Sequence, residues 1–162
     1  MQKIIFLDID GPMIPDPLYS INGQVSIQRS HMSTCAVGLL TRICEKYNAL
    51  IVTNTAHNGH IRDGVFDLKT DLISHGLQPE FFHENWHTNF AIQDWDKGIS
   101  DRMLAINHWI SQNGESDWVC FDDIQFTQDK RLILIDFHLG IDYNSYKSAL
   151  EIWKIAQSRF II

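Results

Sequence analysis

The run Lys3-Ile4-Ile5-Phe6-Leu7-Asp8-Ile9-Asp10-Gly11 decides how this chain of 162 residues is read. Residues 3 to 7 have the length and the β-branched and aromatic content of a buried strand. Two carboxylates one residue apart stand where that strand stops, and Gly11 turns the backbone. In an open α/β sheet, ligands bind outside the carboxyl ends of strands, so the pair occupies the place where chemistry is done. Burying one carboxylate beside another is costly unless a cation or a proton separates them. A divalent ion would use both. The plainer reading is a strand end carrying two solvated acids.

Further runs follow in a suggestive order. Ala49-Leu50-Ile51-Val52-Thr53-Asn54 is a second apolar run, ending in a hydroxyl and an amide. Asp96-Lys97-Gly98 opens a helical pattern carrying Ile99, Met103, Ile106, Trp109 and Ile110. Trp118-Val119-Cys120-Phe121-Asp122-Asp123 is a buried run ending in two acids, and Leu132-Ile133-Leu134-Ile135 reads as one more strand. Glu80-Phe81-Phe82 reads as a short third strand, with His83 to Asp96 as a loop. Ser33 or Thr34 caps a helix with Cys35, Ala36, Leu39, Leu40, Ile43, Cys44 and Tyr47 at helical spacing, ended by Asn48. A second helix carries Ile61, Val65, Phe66, Leu68, Leu72 and Ile73 and stops at Gly76. A terminal one covers Ser145 to Ser158, with Leu150, Trp153 and Ile155 inward. Strands alternating with helices imply an α/β fold, a Rossmann-like parallel sheet with helices on both faces.

Between the first strand and the first helix, Pro12, Pro15 and Pro17 disfavour regular helix. Leu18 to Ile27 reads as a hairpin around an Asn22-Gly23 turn, with Tyr19, Ile21, Val25 and Ile27 on one face. A connection this long in a compact domain is usually functional.

In the order and strand-end placement of these motifs the chain resembles the haloacid dehalogenase (HAD) superfamily of phosphohydrolases. That family places Asp-x-Asp after its first strand, Ser or Thr after the second, then a Lys, then an acidic pair after the fourth. The resemblance spans residues 3 to 123 and implies a single HAD-like domain over 1–162, with a minimal cap formed by a flap hairpin at 16–28. It implies a Mg2+-dependent phosphomonoester hydrolase working through an aspartyl-phosphate. Asp8 matches the nucleophile and Asp10 the general acid and base. Thr53 matches the hydroxyl that binds a phosphate oxygen, with Asn54 and Thr55 as rivals, and Lys97 matches the neutralising cation. Asp8, the backbone carbonyl of Asp10, and Asp122 match the metal ligands, and Asp123 acts through water or directly in place of Asp122. The alternative is a catalytically silent phosphate-binding or protein-interaction module, against which the complete acidic and basic set argues. A receiver-type phosphoacceptor domain wants its acidic pair adjacent after strand one, which is absent here.

The chain departs from the pattern at Pro12 and Met13, where Val or Thr and then Leu are usual. It also resembles HAD domains of RNA-repair proteins, which carry a Trp-Arg pair after the second motif where this chain has Ala56-His57. His57, just past the second strand, is a candidate for substrate contact. The pairs His57/His60 and His83/His87 have helix-face spacing, but no Cys or carboxylate completes a zinc set. Trp86, Phe90 and Trp95 would stack on a base or, more ordinarily, pack in the core.

Composition narrows the partners. A hydrophobic share of 44% and a charged share of 20% fit an ordinary globular protein, and a net charge of −7 argues against a surface built for non-specific grip on nucleic acid. Cys35, Cys44 and Cys120 show no CxxC spacing and read as buried free thiols, which points to a reducing, cytoplasmic location. No apolar run approaches the roughly 18 residues of a membrane span, and the first residues lack a signal-peptide pattern. The expected partner is a phosphorylated small molecule or a nucleic-acid end, not a membrane. Residue patterns leave the oligomeric state open.

Overall fold

A computed structural model describes residues 1–18, 31–58, 67–88 and 98–158. Five strands form one parallel sheet in the order β3-β2-β1-β4-β5, where β1 is Gln2–Leu7, β2 Leu50–Thr53, β3 Phe82–His87, β4 Ser116–Asp122 and β5 Leu132–Leu134. The helices are α1 (Thr34–Tyr47), α2 (Leu68–Ser74), α3 (Gly98–Asn113) and α4 (Tyr143–Ser158).

β1 is central, so both of its faces must be apolar. Ile5 and Leu7 enter one core with Leu40 and Ile43 of α1 and Trp153 of α4. Ile4 and Phe6 enter a second core with Ile106 and Trp109 of α3 and Trp118 of β4. There the Phe6 ring meets Trp109 and Trp118 edge-on, at centroid distances of 5.5 and 5.8 Å. Helices therefore cover both faces.

Local chemistry sets the ends of α1. The Ser33 hydroxyl accepts from the Ala36 amide at 3.2 Å, and Asn48 closes the helix in the left-handed region at φ 51°. Cys35 lies outside the core after all: it is exposed, while Cys44 and Cys120 are buried free thiols. Burial pushes the Cys44 thiol up to about 12, which leaves it unreactive.

Two sequence expectations change. Glu80 and Phe81 belong to a 3-10 turn opened by Pro79, and the third strand is Phe82–His87, inside the segment read as a loop. β3 pairs with β2 alone and is half exposed, so no continuous apolar run announces it. Of the segment 16–28 read as a flap hairpin, residues 16–18 are helical and 19–28 lie outside the described residues. The first half of the helix read over Ile61 to Ile73 also lies outside them; its described part is α2, capped by the Asp67 carboxylate accepting from the Thr70 amide at 3.1 Å. Among the described residues no helix is long and apolar enough to cross a membrane.

Candidate functional site

The chain runs outward from β1 to β2 and β3, then crosses back to β4 and β5, so the sheet's switch point lies between β1 and β4. Leu7 pairs with Phe121 there, and the Asp8 amide donates to the Phe121 carbonyl at 3.0 Å. Parallel register thus sets Asp8 beside Asp122 at one sheet edge. Both are buried, and one oxygen from each lies within 4.8 Å of the others in a group completed by Asp123. The Asp8 carboxylate accepts from the Ile9 amide at 2.9 Å, and that of Asp122 from the Ile124 amide at 2.9 Å. The two strand-end loops also touch through Gly11. A Cβ on Gly11, whose φ is +82°, would stand 2.8 Å from both Cβ and Cγ of Asp123. The glycine therefore both turns the backbone and leaves room for the third acid.

An arginine absent from the sequence-based expectations pairs with two acids of this cluster. Arg102 of α3 is 5% exposed, and its Nη1 lies 2.9 Å from Asp8 and 2.5 Å from Asp122. Burial acts against its charge, but the two facing carboxylates outweigh burial and hold its pKa above the ordinary value. A signal existed: Arg102, Ile106 and Trp109 recur at i, i+4 and i+7, which puts the guanidinium on the buried stripe of the helix. Lys97, the cation the resemblance selected, lies outside the described residues.

The end of β2 divides its polar groups between scaffold and site. The Thr53 hydroxyl is fully buried and donates to Asn58 Oδ1 at 3.0 Å, so it is engaged inside the loop. Asn54 Oδ1 accepts from the Thr88 hydroxyl at 2.8 Å, which ties it to the chain after β3. Asn58 clamps the loop from within. Its amide donates to the carbonyls of Thr53 and Thr88 at 3.1 and 3.0 Å. Thr55 differs from these, because its buried hydroxyl meets no partner at hydrogen-bond geometry. It nevertheless stands near enough to Asp8 to favour the charged carboxylate.

The Asp10 carboxylate pairs with His57 and is not one of the three grouped acids, although its charge reaches Asp123. The turn that carries it is pinned, with the Gly11 amide donating to the Ile14 carbonyl at 3.0 Å and the Met13 amide to the Ile9 carbonyl at 2.9 Å. Pro12, lacking an N–H, fits this turn, and its carbonyl accepts from the Ile141 amide at 3.0 Å. The Asp10 carboxylate lies 3.0 Å from His57 Nε2. His83 and His87 stand on β3, where the His83 ring meets Trp109 edge-on, and neither joins a metal-ligating group among the described residues. Trp86 packs against the first core, while Phe90 and Trp95 lie outside the described residues.

The family model describing the HAD domain in Swiss Army Knife RNA repair proteins matches residues 4–145. The chain belongs to this HAD family. No curated protein and no solved structure matches it. HAD domains are generally hydrolases.

The acids of this HAD domain are poised for a cation. Burial raises the Asp8 carboxyl above its ordinary value despite Arg102. Burial, and then Asp8, push Asp122 up to about 8. Burial and Asp8 raise Asp123 as well. Three carboxylates against one guanidinium leave uncompensated negative charge, and an all-oxygen donor set suits a hard divalent ion such as Mg2+.

Proposed function

We propose that the protein is a Mg2+-dependent phosphomonoester hydrolase that works through an aspartyl-phosphate. The observation supporting this most is the placement of Asp8 at the switch point, grouped with the acids Asp122 and Asp123 and paired with Arg102. Asp8, Asp122 and Asp123, with the Asp10 carbonyl, would hold the metal. Once bound, the ion supplies the charge screening that lets a carboxylate approach a phosphate dianion.

An Asp8 oxygen attacks phosphorus, and the bond from phosphorus to the leaving oxygen breaks. Asp10 gives its proton to that oxygen, releasing the alcohol. Asp10, now a carboxylate, takes a proton from water. The water oxygen bonds to phosphorus, and the acyl-phosphate bond opens to restore Asp8 and yield inorganic phosphate. Arg102 balances charge on Asp8 and the transferring group, the part that the resemblance assigned to Lys97. Thr55, with its unpartnered hydroxyl beside Asp8, takes the phosphate-binding part in place of Thr53, whose hydroxyl is engaged by Asn58.

For substrate, the family's place in RNA repair favours a phosphorylated RNA end over a free phosphometabolite. The net charge of −7 gives no long-range attraction to a polyanion, so recognition of such an end rests on the local site. The test is phosphate release with Mg2+ from 3′- and 5′-phosphorylated oligoribonucleotides and from a phosphometabolite panel, comparing the natural protein with Asp8→Asn. Release from an oligoribonucleotide end that vanishes in folded Asp8→Asn is expected. Wild-type turnover by the variant, or no release from any monoester, overturns the proposal.

A further inference from the structure

Asp10 and His57 form a pair that the phosphate chemistry alone does not require. Asp10 emerges from a backbone turn fixed by its own hydrogen bonds, yet its side chain is 40% exposed. An exposed carboxylate samples several rotamers, and only some of them point at a leaving oxygen. His57 Nε2 stands 3.0 Å from Asp10 Oδ2, and the His57 side chain is itself 20% exposed.

His57 rides on a loop whose geometry is fixed from inside. The Asn58 backbone amide donates to the Thr55 carbonyl at 3.0 Å, closing the turn that contains His57. The Asn58 side chain binds the Thr53 carbonyl and both oxygens of Thr88 at 3.0 to 3.1 Å. One buried amide thus fixes the segment presenting Thr55 toward Asp8 and His57 toward Asp10.

We infer that His57 is a positioning residue, which holds the Asp10 carboxyl by donating Nε2–H to Oδ2 and so leaves Oδ1 to deliver the proton to the leaving group. This replaces direct substrate contact as its role, and it rests on the phosphomonoesterase reading above. The consequence is selective. Proton delivery matters when the leaving alkoxide is strongly basic, as from a ribose or alkyl phosphate, and little when it is a stable phenolate such as 2,4-dinitrophenolate.

The experiment measures kcat/KM with Mg2+ for an alkyl phosphate and for 2,4-dinitrophenyl phosphate, in the natural protein, His57→Ala, His57→Gln, Asp10→Asn and the double variant His57→Ala/Asp10→Asn. Thermal midpoints confirm folding. General acid catalysis contributes about 10²–10⁴-fold, so His57→Ala is expected to lose roughly 30-fold or more on the alkyl substrate beyond its loss on the aryl one. His57→Gln, which keeps an N–H donor, should recover part of that difference. In the Asp10→Asn background, removing His57 should add no further leaving-group discrimination. Equal losses on both substrates, or a further selective loss in the Asp10→Asn background, overturn the positioning role while leaving the hydrolase intact. If the natural protein turns over neither ester, the hydrolase reading fails, and this inference with it.

Discussion

Arg102→Met keeps an unbranched side chain but deletes the guanidinium between Asp8 and Asp122. With Nη1 2.9 Å from Asp8, the gross attraction is about 6 kcal/mol at an effective dielectric near 20. Desolvation of the arginine offsets part of this, and breaking a buried pair from one side typically costs about 3–5 kcal/mol net. In a chain of this length each kcal/mol moves the midpoint by roughly 2–4 °C, so a fall of about 6–20 °C is expected.

The fall should depend on pH. Asp122 has its pKa at about 8 while Arg102 is present, and removing that cation raises it further. At pH 6 the variant relieves itself by holding a proton between the two acids; at pH 9 it must leave them charged or take up a proton against the gradient. Thermal melts in EDTA at pH 6 and pH 9 should therefore show the larger deficit at pH 9. Arg102→Lys should be intermediate, because it keeps a positive charge but replaces the rigid guanidinium, whose Nη1 reaches both acids, with an ammonium on a flexible stem. An Arg102→Met midpoint equal to that of the natural protein at pH 9 would refute the reasoning, since an unpaired buried Asp8 cannot be without cost.

Further outcomes can be checked with the same instruments. For the natural protein in EDTA, Asp122 ionises near pH 8 when folded but near 3.8 when unfolded, so the folded state binds the extra proton and this group's stabilisation declines as pH rises from about 4 to 8. Melts between pH 5 and 8 should show that decline and saturating Mg2+ should flatten it; an unchanged slope with Mg2+ speaks against the metal site. Gly11→Ala forces a left-handed backbone at φ +82° and a Cβ into Asp123, so a loss of at least about 1–3 kcal/mol with weakened Mn2+ binding by calorimetry is expected. Natural stability and natural Mn2+ affinity in that variant would show that the loops do not touch. Asn58→Ala strips partners from the Thr53 hydroxyl and from buried carbonyls, at about 1–3 kcal/mol for each group left unsatisfied. Hydrogen exchange at residues 54–58 should rise in it, and exchange as slow as in the natural protein counts against the clamp.

The central strands were legible because burial on both faces writes a continuous apolar run, as in Ile4 to Leu7 and Trp118 to Phe121. β3 was not, since an edge strand with one neighbour needs no such run and Phe82–His87 carries Glu, Asn and two His. Asp8, Asp122 and Asp123 could be named because they follow strands whose order fixes their proximity. The arginine beside them could not be found by position in the same way. Arg102 comes from the third dimension, where α3 lays its buried stripe across the β1–β4 gap, and only its coincidence with Ile106 and Trp109 at helical spacing betrays it. Thr53 and Thr55 are equivalent in sequence terms, both just at or past a strand end. What separates them is Asn58, a residue with no apolar pattern to mark it, which engages one hydroxyl and leaves the other beside Asp8.

Charge accounting links these parts. Asp8, Asp122 and Asp123 bring three negative charges into a space where Arg102 returns one. A divalent ion would bring that cluster to neutrality, so a phosphate dianion would meet no net repulsion from the first shell of a protein that is acidic as a whole. Without the ion, burial and then the neighbouring Asp8 favour a proton on Asp122, whose pKa is pushed up to about 8. A metal bound there would compete with protons for one set of oxygens, and binding the ion at neutral pH should release protons. The Asp10 carboxylate, 3.0 Å from His57 Nε2, is not one of those three acids, though its charge is felt at Asp123. On the proposed reading, a proton donor held by a different partner from the metal oxygens can give up its proton while Asp122 and Asp123 keep their charge.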